Sequence, residues 1–149
     1  MSGGIFISKF FKFLTLIIMI TIFYFSQQDG TNSLHQSNFF YRLLGIDLKS
    51  MGIDIRKLAH FSIYFALGFS CLLSFSEITR KHIFYSVLFS FVYALTDEFH
   101  QSLIPGRGPQ FTDVLIDTTG ALCGSFIGFT FFNIKNILEK RRKKIQSLK

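Results

Sequence analysis

The stretch YALTDEFHQSLIPGRGPQFTDVLIDTTG, Tyr93 to Gly120, lies between two strongly apolar runs yet carries Asp97, Glu98, His100, Arg107, Asp113 and Asp117. Four acids within 21 residues are routine on a soluble surface, but the rest of the chain is not that of a soluble protein. Of its 149 residues 49% are hydrophobic, with 21 Phe and no Trp, and mean hydropathy is positive. The length suits one domain. The turn IPGRGPQ inside the stretch contains both prolines of the chain, Pro105 and Pro109, with Gly106 and Gly108. It predicts a short hairpin that makes the flanking runs antiparallel neighbours, with Arg107 at the tip.

Working outward, four runs approach the roughly 20 residues that a bilayer demands of a helix. They are Phe10–Ser26, Leu58–Ser76, His82–Leu103 and Phe111–Asn133. The first ends in FYFSQQ, with Tyr24 where signal cleavage after Ser26 needs a small residue, and so reads as an anchor. The expected fold is therefore all-α, an integral membrane bundle of four transmembrane helices. Residues 1–134 form the membrane domain and 135–149 a basic tail. The connection Gln27–Ile55 is too polar to cross, and its NFFYRLLGI reads as a short amphipathic helix at the interface.

Charge sets the orientation. With the N-terminus inside, the inner side holds Lys9, Lys12, Arg80, Lys81 and seven tail residues, which makes eleven Lys or Arg. The outer side holds five, Arg42, Lys49, Arg56, Lys57 and Arg107. Eleven against five places both termini in the cytoplasm. The net charge of +7 does not point to nucleic acid, because the basic residues are not interleaved with exposed aromatics. The tail reads instead as an anchor on anionic lipid. Cys71 and Cys123 form no C-x-x-C pair and read as small packing residues, while His35 and His82 read as loop and interface residues.

On this topology the unusual polar residues share the outer leaflet. At about 1.5 Å per residue, Asp97 and Asp117 each lie on the order of 9 Å inside the ends of adjacent helices. An acid facing lipid at that depth is costly, so both are expected to face the interior. Spacings of three and four support this. Ser86, Ser90, Tyr93, Asp97 and Gln101 form one stripe, and His60, Tyr64, Gly68 and Cys71 a second. Asp113 and Asp117 continue into Gly120, Gly124 and Gly128, a run that admits a neighbouring backbone and would serve a dimer interface equally well. Asp113 also suits the start of its own helix as a cap, together with Thr112. Asp97 and Glu98 sit at the negative end of theirs, and Arg56 and Lys57 at the positive end of theirs. Both have the wrong sign, so partners on other helices must account for them.

Three functions fit these residues. The cluster is an ion-pair network that fastens the helices; or Arg56, Lys57 and Arg107 bind a phosphate or carboxylate; or His60, Asp97, Glu98 or Asp117 act as acid or base in a hydrolase or transferase working on a lipid-linked phosphate. No H-E-x-x-H, G-x-S-x-G or phosphate-binding glycine loop is present. No cofactor is expected. A divalent metal on His60, His100 and the acids is not favoured, since their spacing is nonspecific.

RKLAHFSIY (Arg56–Tyr64), YALTDEFHQSLIPGR and FTDVLIDTTGALCG together resemble the VanZ-like family of bacterial membrane proteins, as does FSQQDG after the first run. The shared pattern is R-K-x-x-H with an aromatic residue four on, D-E-x-x-Q, an Arg after P-G, and D-x-x-x-[DN]-x-x-G, over about Phe23 to Gly128. The resemblance marks Arg56, Lys57, His60, Asp97, Glu98, Gln101, Arg107, Asp113 and Asp117 as signature residues, with Tyr64 at the aromatic position. It implies a membrane protein of the bacterial cell envelope; the first expectation for the cluster is that it engages an anionic lipid, a lipid-linked wall precursor or a lipoglycopeptide antibiotic. Resistance to teicoplanin, associated with the founding member, is a phenotype this implies and not a mechanism.

The topology is testable by cysteine substitution. A thiol at Arg107 is expected to react with an impermeant reagent added outside the cell, and one at Lys144 to be protected. The reverse pattern would invert the bundle.

Overall fold

A computed structural model of the chain describes residues 2–28, 54–108 and 110–147. Four helices account for nearly all of them, and no strand occurs among the described residues: α1, Ser2–Ser26; α2, Ile55–Leu73; α3, Arg80–Ser102; and α4, Phe111–Gln146. The amphipathic helix expected in NFFYRLLGI falls outside the described residues, as do His35, Arg42, Lys49 and Pro109.

Each helix starts at or before the apolar stretch from which it is read, and at α2 and α3 a cap and not hydropathy sets that start. Helix α2 starts three residues before Leu58, where the Asp54 carboxylate accepts the Arg56 amide at 2.9 Å. Helix α3 starts after Thr79, whose amide donates to His82 Nδ1 at 3.0 Å. His82 thus closes a capping box and also stacks on Phe75 at 4.3 Å. Helix α4 does not stop near Asn133 but runs on through the basic residues Lys140–Lys144, all exposed. At 36 residues it is about 54 Å long and exceeds a hydrocarbon layer of roughly 30 Å. Phe6–Ser26 and Phe111–Gln146 are long and apolar enough to cross a membrane; α2 and α3 each carry charged residues in their end turns.

The polarity of the bundle is inverted relative to a soluble protein. Ser70, Ser86, Ser90 and Ser125 are fully buried, whereas Phe6, Phe13, Phe84, Phe99, Phe111 and Phe126 are more than half exposed. So much exposed aromatic surface is an aggregation hazard in water and ordinary in lipid. The interior serines bond mostly to carbonyls: Ser90 Oγ donates to Ser86 O at 2.9 Å and Ser125 Oγ to Gly68 O at 3.1 Å. Polar contacts also tie α1 into the bundle. Thr15 Oγ1 donates to Ser70 Oγ at 3.1 Å, and the Tyr93 hydroxyl to the Met19 carbonyl at 2.7 Å. Ile18, Ile22, Tyr64, Leu67, Ala94 and Val114, drawn from all four helices, form the apolar centre.

Helices α2 and α4 make the most extensive pairing. A Cβ on Gly120 would overlap the Phe61 carbonyl, one on Gly124 the Phe65 carbonyl, and one on Gly68 the backbone of Ala121. The glycine run is thus filled by α2 of the same chain. Gly124→Ala is expected to cost about 1–3 kcal/mol of stability, since backbone cannot rotate out of the way. Gly128→Ala should cost much less, because its nearest neighbour, Leu72 Cδ2 at 3.2 Å, is a flexible side-chain end. Thermal unfolding of the two variants in detergent checks the order.

Candidate functional site

The α2–α4 register carries the polar residues to one end of the bundle. Arg56, His60 and Tyr64 lie four residues apart on α2 and share a face. Lys57, rotated about 100° from Arg56, is exposed and stays outside the group. From α3 come Asp97, Glu98 and Gln101, and from α4 Asp113 and Asp117, all five buried. Sequence spacing had placed these residues on inward faces, and they do lie there.

At the centre His60 Nδ1 stands 3.3 Å from Asp117 Oδ1. This is ion-pair distance, but neither atom meets the alignment of a hydrogen bond. Asp97 and Asp117 are 6% and 2% exposed, and each of His60, Asp97 and Asp117 offers a donor atom within 4.8 Å of the others. Gln101 Nε2 donates to Asp97 Oδ2 at 2.8 Å. Tyr64 is wholly buried with no hydrogen-bond partner for its hydroxyl among the described residues, and Asp97 and Asp117 are the carboxylates that bear on it most.

The surrounding residues serve the hairpin. Ile104, Pro105, Gly106 and Arg107 have the arrangement of a type II turn. The Arg107 amide donates to Ile104 O at 3.2 Å, Pro105 takes the second position, and Gly106 adopts φ 78° in the third. The turn aims Arg107 at the last carbonyl of α1, where its guanidinium donates to Ser26 O at 3.1 Å. A cation belongs at that negative helix end. Glu98 Oε1 accepts the Gln110 amide and so ties the end of α3 to the start of α4.

Two expectations are corrected. Asp113 does not cap α4: Gln110 is the N-cap residue, Asp113 lies in the first turn, and its Oδ1 has no partner. His100 stacks on Phe23 at 5.0 Å and is not in the group of possible metal donors, which holds only His60, Asp97 and Asp117 among the described residues. Sequence reasoning also missed Ser26, buried next to Asp97. A serine at the end of an apolar helix carries no signal of its own, although its place beside the Gln residues of FSQQ was a hint.

Among the described residues, the cluster's only ion pair within 4 Å is His60–Asp117. Arg56 and Arg107 make none, and the Nε of each is buried without a partner. Burial, and next the charge of Arg56, push the Arg107 guanidinium below its ordinary range, so the two cations stand close enough to disfavour each other.

The family model described as VanZ/LLP1 matches residues 11–133. No curated protein and no solved structure matches the chain.

Gly106→Val forces a β-branched residue into a left-handed conformation, at about 1–2 kcal/mol or more. The expected result is a displaced Arg107 and faster amide exchange in the last turn of α1, near Phe23 to Ser26, with α2 and α4 little changed. Unchanged exchange there would show that the turn does not hold α1.

Proposed function

The chain belongs to the VanZ/LLP1 family, and from that premise we propose that it crosses the bacterial cytoplasmic membrane four times, with both termini inside, and binds the phosphate of an anionic lipid or lipid-linked wall precursor in the outer leaflet. The excess of Lys and Arg on one side of the helices supports the orientation. The apolar exterior around buried serines supports four crossings, because α2 and α3 present lipid-compatible surface even though their end turns are charged. Teicoplanin-type resistance would then be a downstream result of holding an envelope lipid or the lipoglycopeptide itself.

The carrying observation is the pair of guanidiniums. Among the described residues neither Arg56 nor Arg107 has a carboxylate within 4 Å, each keeps a buried Nε without a hydrogen bond, and the charge of Arg56 bears on the Arg107 guanidinium. Two such cations at one end of the bundle suit a phosphate, which accepts several charge-assisted hydrogen bonds at once. A purely fastening network has less support, since it needs arginine–carboxylate pairs and among the described residues the cluster makes only His60–Asp117. One observation favours a second reading: an imidazole beside a buried carboxylate can move a proton, which is what a hydrolase or transferase on the same phosphate requires.

Native mass spectrometry on the purified protein tests the binding. The wild type is expected to retain phosphatidylglycerol or an isoprenyl phosphate over phosphatidylcholine. Arg56→Gln with Arg107→Gln should reduce that preference by about tenfold or more, as loss of charge-assisted contacts predicts. Equal retention of charged and zwitterionic lipid by the wild type would remove the proposal. Phosphate release that Asp97→Asn abolishes would favour the catalytic reading.

A further inference from the structure

The geometry points to a divalent-cation site formed by His60, Asp97 and Asp117, suited to a borderline transition-metal ion such as Zn2+ or Mn2+. One residue comes from each of α2, α3 and α4, and the donor set is one imidazole and two carboxylates. Such a mixed nitrogen and oxygen set fits these ions better than a soft ion that prefers thiolate.

Four observations converge. The donor atoms lie within 4.8 Å of one another, so small side-chain rotations close them around one ion. His60 Nδ1 and Asp117 Oδ1 are 3.3 Å apart, near the roughly 3.4 Å edge of a tetrahedron with bonds of about 2.1 Å. Both atoms are buried without a hydrogen-bond partner among the described residues, so a shared ion would satisfy both. Independently, the Tyr64 hydroxyl is wholly buried, has no hydrogen-bond partner among the described residues and is under the influence of both carboxylates. A buried hydroxyl without a partner is costly, and a cation held by those carboxylates, or its bound water, would satisfy it.

Charge and support agree with this. Two buried carboxylates balance a divalent ion, whereas no Lys or Arg among the described residues comes within 4 Å of either. Gln101 steadies Asp97 from behind through Oδ2, as outer partners commonly do for ligating carboxylates. The His60 side chain, 17% exposed, marks the way in. The site does not depend on the lipid reading. It needs only the observed register of three helices, and an ion there would add to Arg56 and Arg107 as a third positive element facing a phosphate.

The test uses full-length protein in detergent with no phospholipid added, stripped with EDTA and titrated with Mn2+ or Zn2+. The expected result is about one ion per chain, with pulsed electron paramagnetic resonance of the Mn2+ form showing a directly bound nitrogen from His60. Asp97→Asn and Asp117→Asn should each weaken binding by about tenfold or more, while Glu139→Gln, an exposed acid on the tail of α4, leaves it unchanged. No bound ion up to about 1 mM, or a bound Mn2+ without nitrogen coupling, overturns the site. So does binding that both Asp variants retain. The nitrogen signal is read on the wild type and decides the matter even where a variant fails to fold.

Discussion

The contact on which everything else rests is between backbones. At Gly68, Gly120 and Gly124 the main chains of α2 and α4 touch with no side chain between them. A contact this close has only one register, because a shift of one residue puts a Cβ into a carbonyl. That register seats Phe61 O over Gly120, and His60, the next residue on α2, and Asp117, about one turn back on α4, lie toward the same end. The glycines make no chemistry, but they set the distance at which chemistry is possible. They also explain why α4 approaches α2 more closely than it approaches α3, its neighbour across the hairpin.

Around this seam the usual order of polarity is reversed. Serine and threonine fill the inside and bond to carbonyls, while phenylalanine covers the outside. In lipid, apolar burial drives little, so close packing and interior hydrogen bonds have to hold the helices together. Carboxylates such as Asp97 and Asp117 persist in such an interior only with partners. The described residues give Asp97 one amide, and give Asp117 one imperfectly aligned imidazole. That openness among the described residues is the support for the proposed binding reading over a fastening network.

Much of this was legible in the sequence because helical spacing is a strong signal. Asp97 with Gln101, Asp113 with Asp117, and the glycines at intervals of four could be assigned to inward faces from periodicity alone. What escaped were partners that are backbone. Arg107 bonds to the Ser26 carbonyl, Glu98 to the Gln110 amide and Tyr93 to the Met19 carbonyl, and a main-chain group has no residue type to reveal it. Lys57 was counted with Arg56 because the two are adjacent, yet adjacent residues on a helix point about 100° apart and only one can face the cluster. Helix ends were misjudged for a related reason: the hydropathy of a run says where lipid is tolerated, while Asp54 and Thr79 decide where hydrogen bonding begins.

The Arg107–Ser26 contact also bears on the order in which the molecule is completed. Its two residues are 81 positions apart, so a chain made from its N-terminus finishes α1 long before it makes the turn that grips it. Until then the last carbonyl of α1 lacks its cation, and Tyr93, the other tie from the third helix, has only just been added. The first helix is accordingly the first to be made, and although Thr15 can bond Ser70 earlier, its end at Ser26 is fastened late. Its place is held by a clasp that forms when the hairpin closes, and the same closure brings Asp117 to His60.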